Sequence, residues 1–426
     1  MRFSQLSDWL AWQERLHPSA IDLGLDRVRR TLDRLGWKSP NCPVITVGGT
    51  NGKGSTVQLL SRILSAAGYR VGTFTSPHLV RYNERIAIAE EPVADASLLA
   101  AFERIDAARG ADTLTFFEFN TLAALLIFET AALDAVVLEV GMGGRLDAVN
   151  VVDADVAIIS SVALDHCDWL GADVETIGME KAGILRAARP AIFGSREMPR
   201  SIENHAVSIG ADLQRLGRDF DWTRTPSGWD WQHRSVRTEG LPLPALVGEG
   251  QLDNASAVLA CLTCVSNRLS VPRSAIEHGL RTVELAGRFQ RIQCETEWVL
   301  DVAHNPAAAN TLARSLATLP ARTPCIAVCG VLGDKDLTNI YRELERSFDG
   351  WVVTGLEGPR ALAPGELGRR LAAEGADIVA ECADVQSGCA RALEIAGHDG
   401  RVVVFGSFLT VGPALQWLRE RCVTLA

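Results

Sequence analysis

From residue 44 onward, short runs of β-branched and aliphatic residues alternate with longer segments whose apolar positions recur at helical spacing. VITVG, RVGTFT, DAVVLEVG and DVAIISSV are the first such runs. Strand-then-helix order of this kind predicts a mostly parallel sheet with helices on its faces. Between residues 211 and 247 the texture changes to WTRTPSGWDWQHRSVRTEGLPLP, rich in aromatics, turn residues and alternating polar positions, which predicts a small antiparallel patch on the same domain. Helical patterns return at 251–268 and 273–284. After GRFQRIQCETEW the alternation starts afresh with WVLDVAHNP, PCIAVCGVLG, WVVTGLEGP, DIVAE and RVVVFGS, each followed by a helical pattern. A second series implies a second core. The expected organisation is α/β throughout: a larger domain over residues 1–287, a hinge or linker over 288–297, and a smaller, Rossmann-like α/β domain over 298–426.

Length and composition agree, since 426 residues with 47% hydrophobic content suit two or three domains at roughly 150 residues each. The N-terminal MRFSQLSDWLAWQERLHP carries Asp8 and Glu14 among its apolar residues and lacks the pattern of a signal peptide, so a cytoplasmic protein is expected. The most apolar stretch, LTFFEFNTLAALLIFETAAL, is interrupted by Glu118, Asn120 and Glu129; it reads as a buried helix and not as a membrane span. A formal net charge of −10 argues against a general nucleic-acid surface, which rests on clustered Lys and Arg. Ten cysteines in such a chain fit reduced thiols better than a disulfide framework. The CxxC at Cys261 and Cys264 lies in a helical pattern, and the pair Cys325 and Cys329 in a strand-like run; both read as small buried thiols ahead of zinc ligands.

The candidate chemistry begins at VITVGGTNGKGST, residues 44–56. A strand feeding a glycine-rich turn and then a helix aims several backbone N–H groups and the helix dipole at one spot, which suits a polyphosphate. Lys53 adds a positive charge. The loop is not the common GxxxxGK[ST] pattern: Gly48 to Gly52 is one residue too short, and Gly54 separates Lys53 from the hydroxyl of Ser55. It remains a P-loop-like element on the N-terminal domain. Elsewhere, Glu139 closes the apolar run DAVVLEV at the end where open parallel sheets place ligands. Ser76 before Pro77 reads by itself as a turn residue, Lys181 as a solvated lysine paired with Glu180, and Asn305 before Pro306 as a helix cap.

GTNGKGST resembles the loop of the folylpolyglutamate synthase and dihydrofolate synthase family, relatives of the Mur peptide ligases. The resemblance extends through TSPHLVRYNERI (75–86), LEVGMGGRLDAVN (138–150), ALDHCDWLG (163–171), IGMEKAGI (177–184), GQLDNA (250–255), GRF (287–289), DVAHNP (301–306) and GSFLTV (406–411). It is strongest toward the bifunctional bacterial form. It implies an ATP-dependent ligase that forms an acyl phosphate and joins L-glutamate to dihydropteroate and to the glutamate tail of reduced folates. Activity on folates alone, or another Mur-type amide ligation, remains the alternative. The resemblance further implies a monomer, and an active site in a cleft that closes between the domains.

Carried over residue by residue, the resemblance assigns Thr50, Asn51, Gly52, Lys53, Gly54, Ser55, Asn254, Arg288 and Asp301 to the nucleotide. Two magnesium ions are implied, with Ser55, Ser76 and Glu139 for the first and His166 and Lys181 for the second, Lys181 as the carbamylated side chain. Lys53, Lys181 and His304 are the residues assigned to catalysis. The acid acceptor is assigned to Ile21, Asp22 and Leu23, to Arg81, to Thr115, Phe116, Phe117 and Glu118, and to Leu146, Asp147 and Ala148. Val302 stands where many family members have glycine.

Overall fold

A computed structural model describes residues 2–248, 250–358 and 360–425, without the side chains of 423–425. It divides into two compact units. The first comprises Met1–Pro77, Asn83–Ala245 and Gln251–Val283; the second comprises His78–Tyr82, Leu246–Gly250 and Glu284–Ala426.

In the first unit the predicted strands become β1 (Val44–Gly48), β2 (Val71–Phe74), β3 (Ile86–Ile88), β4 (Glu91–Pro92), β5 (Ala135–Glu139), β6 (Val156–Ile159), β7 (Pro190–Phe193) and β8 (Asp212–Arg215). They form one sheet in the order β4-β3-β2-β5-β1-β6-β7-β8. From β2 to β8 every pairing is parallel, and only β3 and β4 run against their neighbours. The four central strands β2, β5, β1 and β6 are buried along their whole length, as expected of a sheet covered on both faces. The apolar stretch at 114–133 forms the helix Phe116–Glu129, eleven of whose residues are buried. Trp9, Phe102 and Phe119 bring the helices Leu6–Leu16, Asp95–Arg109 and Phe116–Glu129 together with ring centroids 5.5–6.3 Å apart. Each ring is fully buried and contributes roughly 2 kcal/mol from burial.

The antiparallel patch consists of β9 (Phe220–Thr225), β10 (Gly228–His233) and β11 (Val236–Leu241). Its alternating texture buries Trp229, Trp231 and His233 on β10 while Gln232 points to solvent.

The second unit has its own sheet: β12 (Gln290–Gln293), β13 (Glu297–Leu300), β14 (Cys325–Cys329), β15 (Gly350–Thr354), β16 (Ile378–Cys382) and β17 (Arg401–Phe405), in the order β12-β13-β17-β14-β15-β16. All but β12 are parallel. Successive residues alternate between two cores. Val299, Ala327, Val353, Val403 and Phe405 pack on one face; Trp298, Leu300, Val328, Val352, Val402 and Val404 pack on the other. Leu79 and Val80, from the short segment 78–82, pack against the second of these cores.

Two expectations meet a different structure. Residues 290–293, inside the stretch expected to link the domains, form β12, which hydrogen-bonds to β13 as a hairpin in the second sheet. The cysteines are not all free thiols, because Cys294 and Cys422 form a disulfide across 128 residues. Their Cα atoms are 5.8 Å apart because the C-terminal helix, Phe408–Leu425, returns beside the end of β12. Spacing in the chain carries no trace of that return. The other eight cysteines are free; Cys261, Cys325 and Cys329 are buried, and Cys264 is half-buried beside Gln214. Among the described residues no helix is long and apolar enough to cross a membrane.

Candidate active site

Parallel strands all point the same way, so the segments leaving β2, β5, β1 and β6 emerge at one edge of the sheet. That edge gathers Ser76 after β2, Glu139 at the end of β5, the glycine loop after β1, and Asp165 and His166 after β6.

The loop is framed by backbone and serine hydroxyls. The Thr50 amide donates to the Ser161 carbonyl at 2.8 Å, Thr50 Oγ1 accepts from the Ala163 amide at 3.0 Å, and the Asn51 amide donates to Ser161 Oγ at 3.1 Å. Ser160 and Ser161 both donate to the Asn51 carbonyl, at 2.7 and 3.0 Å. Gly49, at φ +141°, leaves no room for a side chain: a Cβ there would lie 2.0 Å from Ser160 Oγ. Gly52, at φ +88°, sits so near Asn254 that its Cβ would lie 2.6 Å from the amide oxygen. The helix Lys53–Ala66 starts immediately after, and Ser55 is buried in its first turn. Lys53 Nζ donates to the carbonyls of Gly49 and Thr50, each at 3.1 Å. The structure therefore brings Thr50, Asn51, Gly52, Lys53, Gly54, Ser55 and Asn254 together. Ser160 and Ser161 were missed in the sequence reading, although two hydroxyls at the end of a buried strand were a usable signal.

Beside the loop lies a pocket of buried charge. Glu139 is 4% exposed, and its Oε2 accepts from the Ser76 amide at 3.3 Å. Lys181 is 3% exposed. The helix Val174–Ala182 is capped by Asp173, which accepts from the Glu175 and Thr176 amides, and it turns Lys181 inward and Glu180 outward. Glu180 pairs with Arg145 at 2.8 Å, so the solvated Lys181–Glu180 pair that the residues alone suggest does not form. Burial and then the Lys53 charge push the Lys181 amine down to about 7, opposed by Asp165 and Asp147. Asp147 is 2% exposed. Burial pushes its carboxyl up to about 7, against amide hydrogen bonds from Met142, Val149 and Gly141 and the charge of Lys53. His166 holds a left-handed backbone, φ +52°, with Nε2 3.9 Å from Asp165 Oδ2. Asp168 is exposed.

Among the described residues no three His, Cys, Asp or Glu side chains converge as a metal cluster. The donors at this edge are instead hydroxyl and carboxylate oxygens from Ser55, Ser76 and Glu139, which suit a hard divalent cation that retains waters. A lysine that is substantially neutral near pH 7 suits carbamylation, because the free amine is the form that adds to carbon dioxide. These residues fit the ions that the resemblance implies.

The three segments expected at the acid acceptor converge. Leu146–Ala148 leads into the 3-10 turn Ala148–Val151, which packs on both the helix Asp26–Leu35 and the helix Phe116–Glu129. Ile21–Leu23 is tied to the same place through Arg27, which joins Asp22 to Glu118. Phe117 packs against Phe74 and covers Gly141, where a Cβ would lie 2.6 Å from its ring. Phe116 lies beneath the Arg85 guanidinium at 5.5 Å. Thr115 and Glu118 form a capping box, with Glu118 Oε2 accepting from the Thr115 amide at 2.8 Å. Both Glu118 oxygens are thus engaged within the protein.

On the second unit, Asp301 follows β13 and accepts from the Phe289 and Ala303 amides, each at 2.8 Å; burial pushes its carboxyl up and the Arg288 charge opposes this. His304 Nδ1 is 2.8 Å from the Val302 carbonyl and so donates to it. Asn305 caps the helix Pro306–Ala317 through the Ala308 amide. Arg288 lies over the Phe408 ring at 5.5 Å. Arg81 belongs to the segment 78–82 of this unit.

Residues 47–262 match the Mur ligase middle domain, and residues 287–408 match the Mur ligase glutamate ligase domain. The chain is 43% identical to the dihydrofolate synthase/folylpolyglutamate synthase of Escherichia coli strain K12, across 98% of this chain and 96% of that protein. The structure of E. coli FolC in complex with DHPP and ADP superposes with a TM-score of 0.92 at 43% identity, covering 98% of each chain. That of a bifunctional folylpolyglutamate synthase/dihydrofolate synthase with Mn, AMPPNP and L-glutamate bound, 42% identical and covering 98% of each chain, gives 0.90. The chain belongs to the dihydrofolate synthase/folylpolyglutamate synthase family of the Mur ligases.

Proposed function

We propose that this enzyme uses ATP to join L-glutamate to dihydropteroate, giving dihydrofolate, and to extend the glutamate tail of reduced folates. The observation that carries this reading is the convergence, at one sheet edge, of a backbone-built anion loop with Lys53, Glu139 and a buried Lys181, in a chain that matches bifunctional relatives over nearly its whole length. A carboxylate is a poor electrophile. Transfer of the terminal phosphoryl group of ATP to it gives an acyl phosphate and ADP; the amine of glutamate then attacks the acyl carbon, an amide bond forms, and phosphate leaves with the proton lost to a base.

In this assignment the amides at the helix start, residues 52–54, and the Lys53 side chain hold the phosphates and stabilise the charge that develops during transfer, while Thr50 and Asn51 brace the loop against Ser161. Ser55, Ser76 and Glu139 hold one divalent ion, and His166 with carbamylated Lys181 holds another; bound magnesium supplies charge neutralisation on the phosphoryl oxygens. Asn254, Arg288 and Asp301 contact the nucleotide, with His304 on its γ-phosphate side. Residues 21–23, 115–118 and 146–148 with Arg81 receive the acid, Glu118 by holding Arg27 and the Thr115 amide in place, and the apolar walls at Phe116 and Phe117 limit water access to the acyl phosphate. The test is ADP release with ATP, magnesium and glutamate, using dihydropteroate or tetrahydrofolate as the acid. Release that requires glutamate and occurs with both acids is the expected result. Release with tetrahydrofolate alone would restrict the enzyme to chain extension, and ADP formed without either acid would overturn the ligase.

A further inference from the structure

The segment before the helix Asp26–Leu35 carries an arrangement that an ordinary surface loop does not need. Arg27 grips Asp22 twice: Nη1 donates to Asp22 Oδ2 and Nη2 to the Asp22 carbonyl, each at 2.6 Å. The opposite edge of the guanidinium donates through Nε to Glu118 Oε1 and Oε2 at 3.0 and 3.2 Å. Glu118 is itself fixed by the cap of its helix. His17 adds a second support, with Nε2 3.1 Å from Asp22 Oδ2 and Nδ1 2.8 Å from Thr113 Oγ1. An ionised carboxylate can only accept, so Nε2 donates to Asp22, while Nδ1 faces both the Thr113 hydroxyl and, at 3.1 Å, the Thr113 carbonyl.

The side chains become more open along this chain of bonds. Glu118 is 4% exposed, His17 10%, Arg27 20% and Asp22 43%. All side-chain bonds to Asp22 fall on Oδ2, and Oδ1 accepts none among the described residues. The protein thus holds one carboxylate oxygen from two sides and leaves the other open. Ordering a half-exposed side chain and its loop costs conformational entropy, and a planar five-donor fork spends its geometry on fixing an angle. The open oxygen is the natural acceptor for a ring N–H of a heterocyclic acid.

We propose that Arg27 and His17 are positioning residues for the acid acceptor: they aim Asp22 Oδ1 at a ring N–H of dihydropteroate and act on its binding only through Asp22. This rests on the assignment of residues 21–23 to the acid made above. The experiment is steady-state kinetics on the full chain with dihydropteroate, ATP and glutamate, for Asp22→Asn, Arg27→Gln, His17→Phe and the double variant Asp22→Asn/Arg27→Gln. Expected is a rise in KM for dihydropteroate of about 10- to 100-fold in Asp22→Asn and Arg27→Gln, a smaller rise in His17→Phe, and a KM for ATP unchanged within about two-fold. The double variant should be no worse than Asp22→Asn alone, because removing the support of an absent carboxylate has no further effect. Since Arg27→Gln leaves the Glu118 charge unpaired, Arg27→Gln/Glu118→Gln serves as the variant that folds without that penalty, and it should show the same rise. If Asp22→Asn raises KM while the Arg27 variants do not, or if the two effects multiply, the positioning role is overturned and the acid assignment stands. If Asp22→Asn itself leaves KM unchanged, the acid assignment of this loop falls and the proposal falls with it.

Discussion

The glycine loop and the buried charged pocket beside it lie at the same sheet edge but are built from opposite materials. The loop presents backbone amides, held by other backbone groups and by Ser160 and Ser161. The pocket presents side chains, Lys181, Asp147 and Glu139, each no more than 4% exposed. A site made of amides is stable whether or not its ligand is present, because the amides carry no net charge. A site made of buried ionisable groups is costly in the absence of its ligands, and it responds by shifting protonation. One half of the centre is thus preformed, while the other is completed by what binds there.

The strongest test of that contrast is Lys53→Met, which removes the only cation of the loop and should lower kcat on the order of 10²–10³ while leaving the melting temperature nearly unchanged. Lys181→Met should lower kcat by about 10² yet raise the melting temperature of the metal-free protein, since an apolar chain of similar length replaces an amine whose burial is unfavourable. Partial recovery of turnover on adding a short carboxylic acid would identify Lys181 as acting through a carboxylate-like form; no recovery at any concentration would count against that role.

The third test is stability against pH in the metal-free protein, followed by chemical denaturation. The folded Asp147 carboxyl is raised from 3.8 to about 7, so its contribution is fully present below pH 3.8 and is lost as pH rises to about 7. The folded Lys181 amine is lowered from 10.5 to about 7, so its contribution is present above pH 10.5 and is lost as pH falls to about 7. Both losses are therefore felt together near neutrality. Asp147→Asn should flatten the decline between about pH 4 and 7 and leave the rise above 7 in place. The smallest effect is expected of Thr115→Ala, which removes one half of the capping box and should cost about 1 kcal/mol in urea denaturation.

The same contrast explains what could be read from the chain. Backbone-built features leave local signatures: the strand-turn-helix at 44–56, the alternation of strands and helices in both units, and the antiparallel texture of residues 220–241 all come from neighbouring residues. Glu139 was legible for a related reason, because a charge ending an apolar run must face a ligand or water. The pocket was not legible in this way. EKAG on a helix reads as a solvated lysine, and only the packing of the helix Val174–Ala182 buries it; the resemblance alone singled it out. Arg27 and His17 went unread because the groups that anchor their far sides, Glu118 and Thr113, lie 91 and 96 residues further along the chain. The expected linker at 288–297 looked like a break in the pattern because β12 is a half-exposed edge strand without an apolar run.

The second unit is discontinuous in sequence, since it includes residues 78–82 and 246–250. Leu79 fits so tightly that a methyl group at Gly412 would sit 2.1 Å from its carbonyl oxygen. A polypeptide starting at residue 284 would lack this plug and expose the apolar surface it covers. Exchange of the C-terminal third between homologues, or its expression as a separate fragment, must therefore transplant the plug as well, and a chimera joined only near residue 284 inherits a mismatched seam.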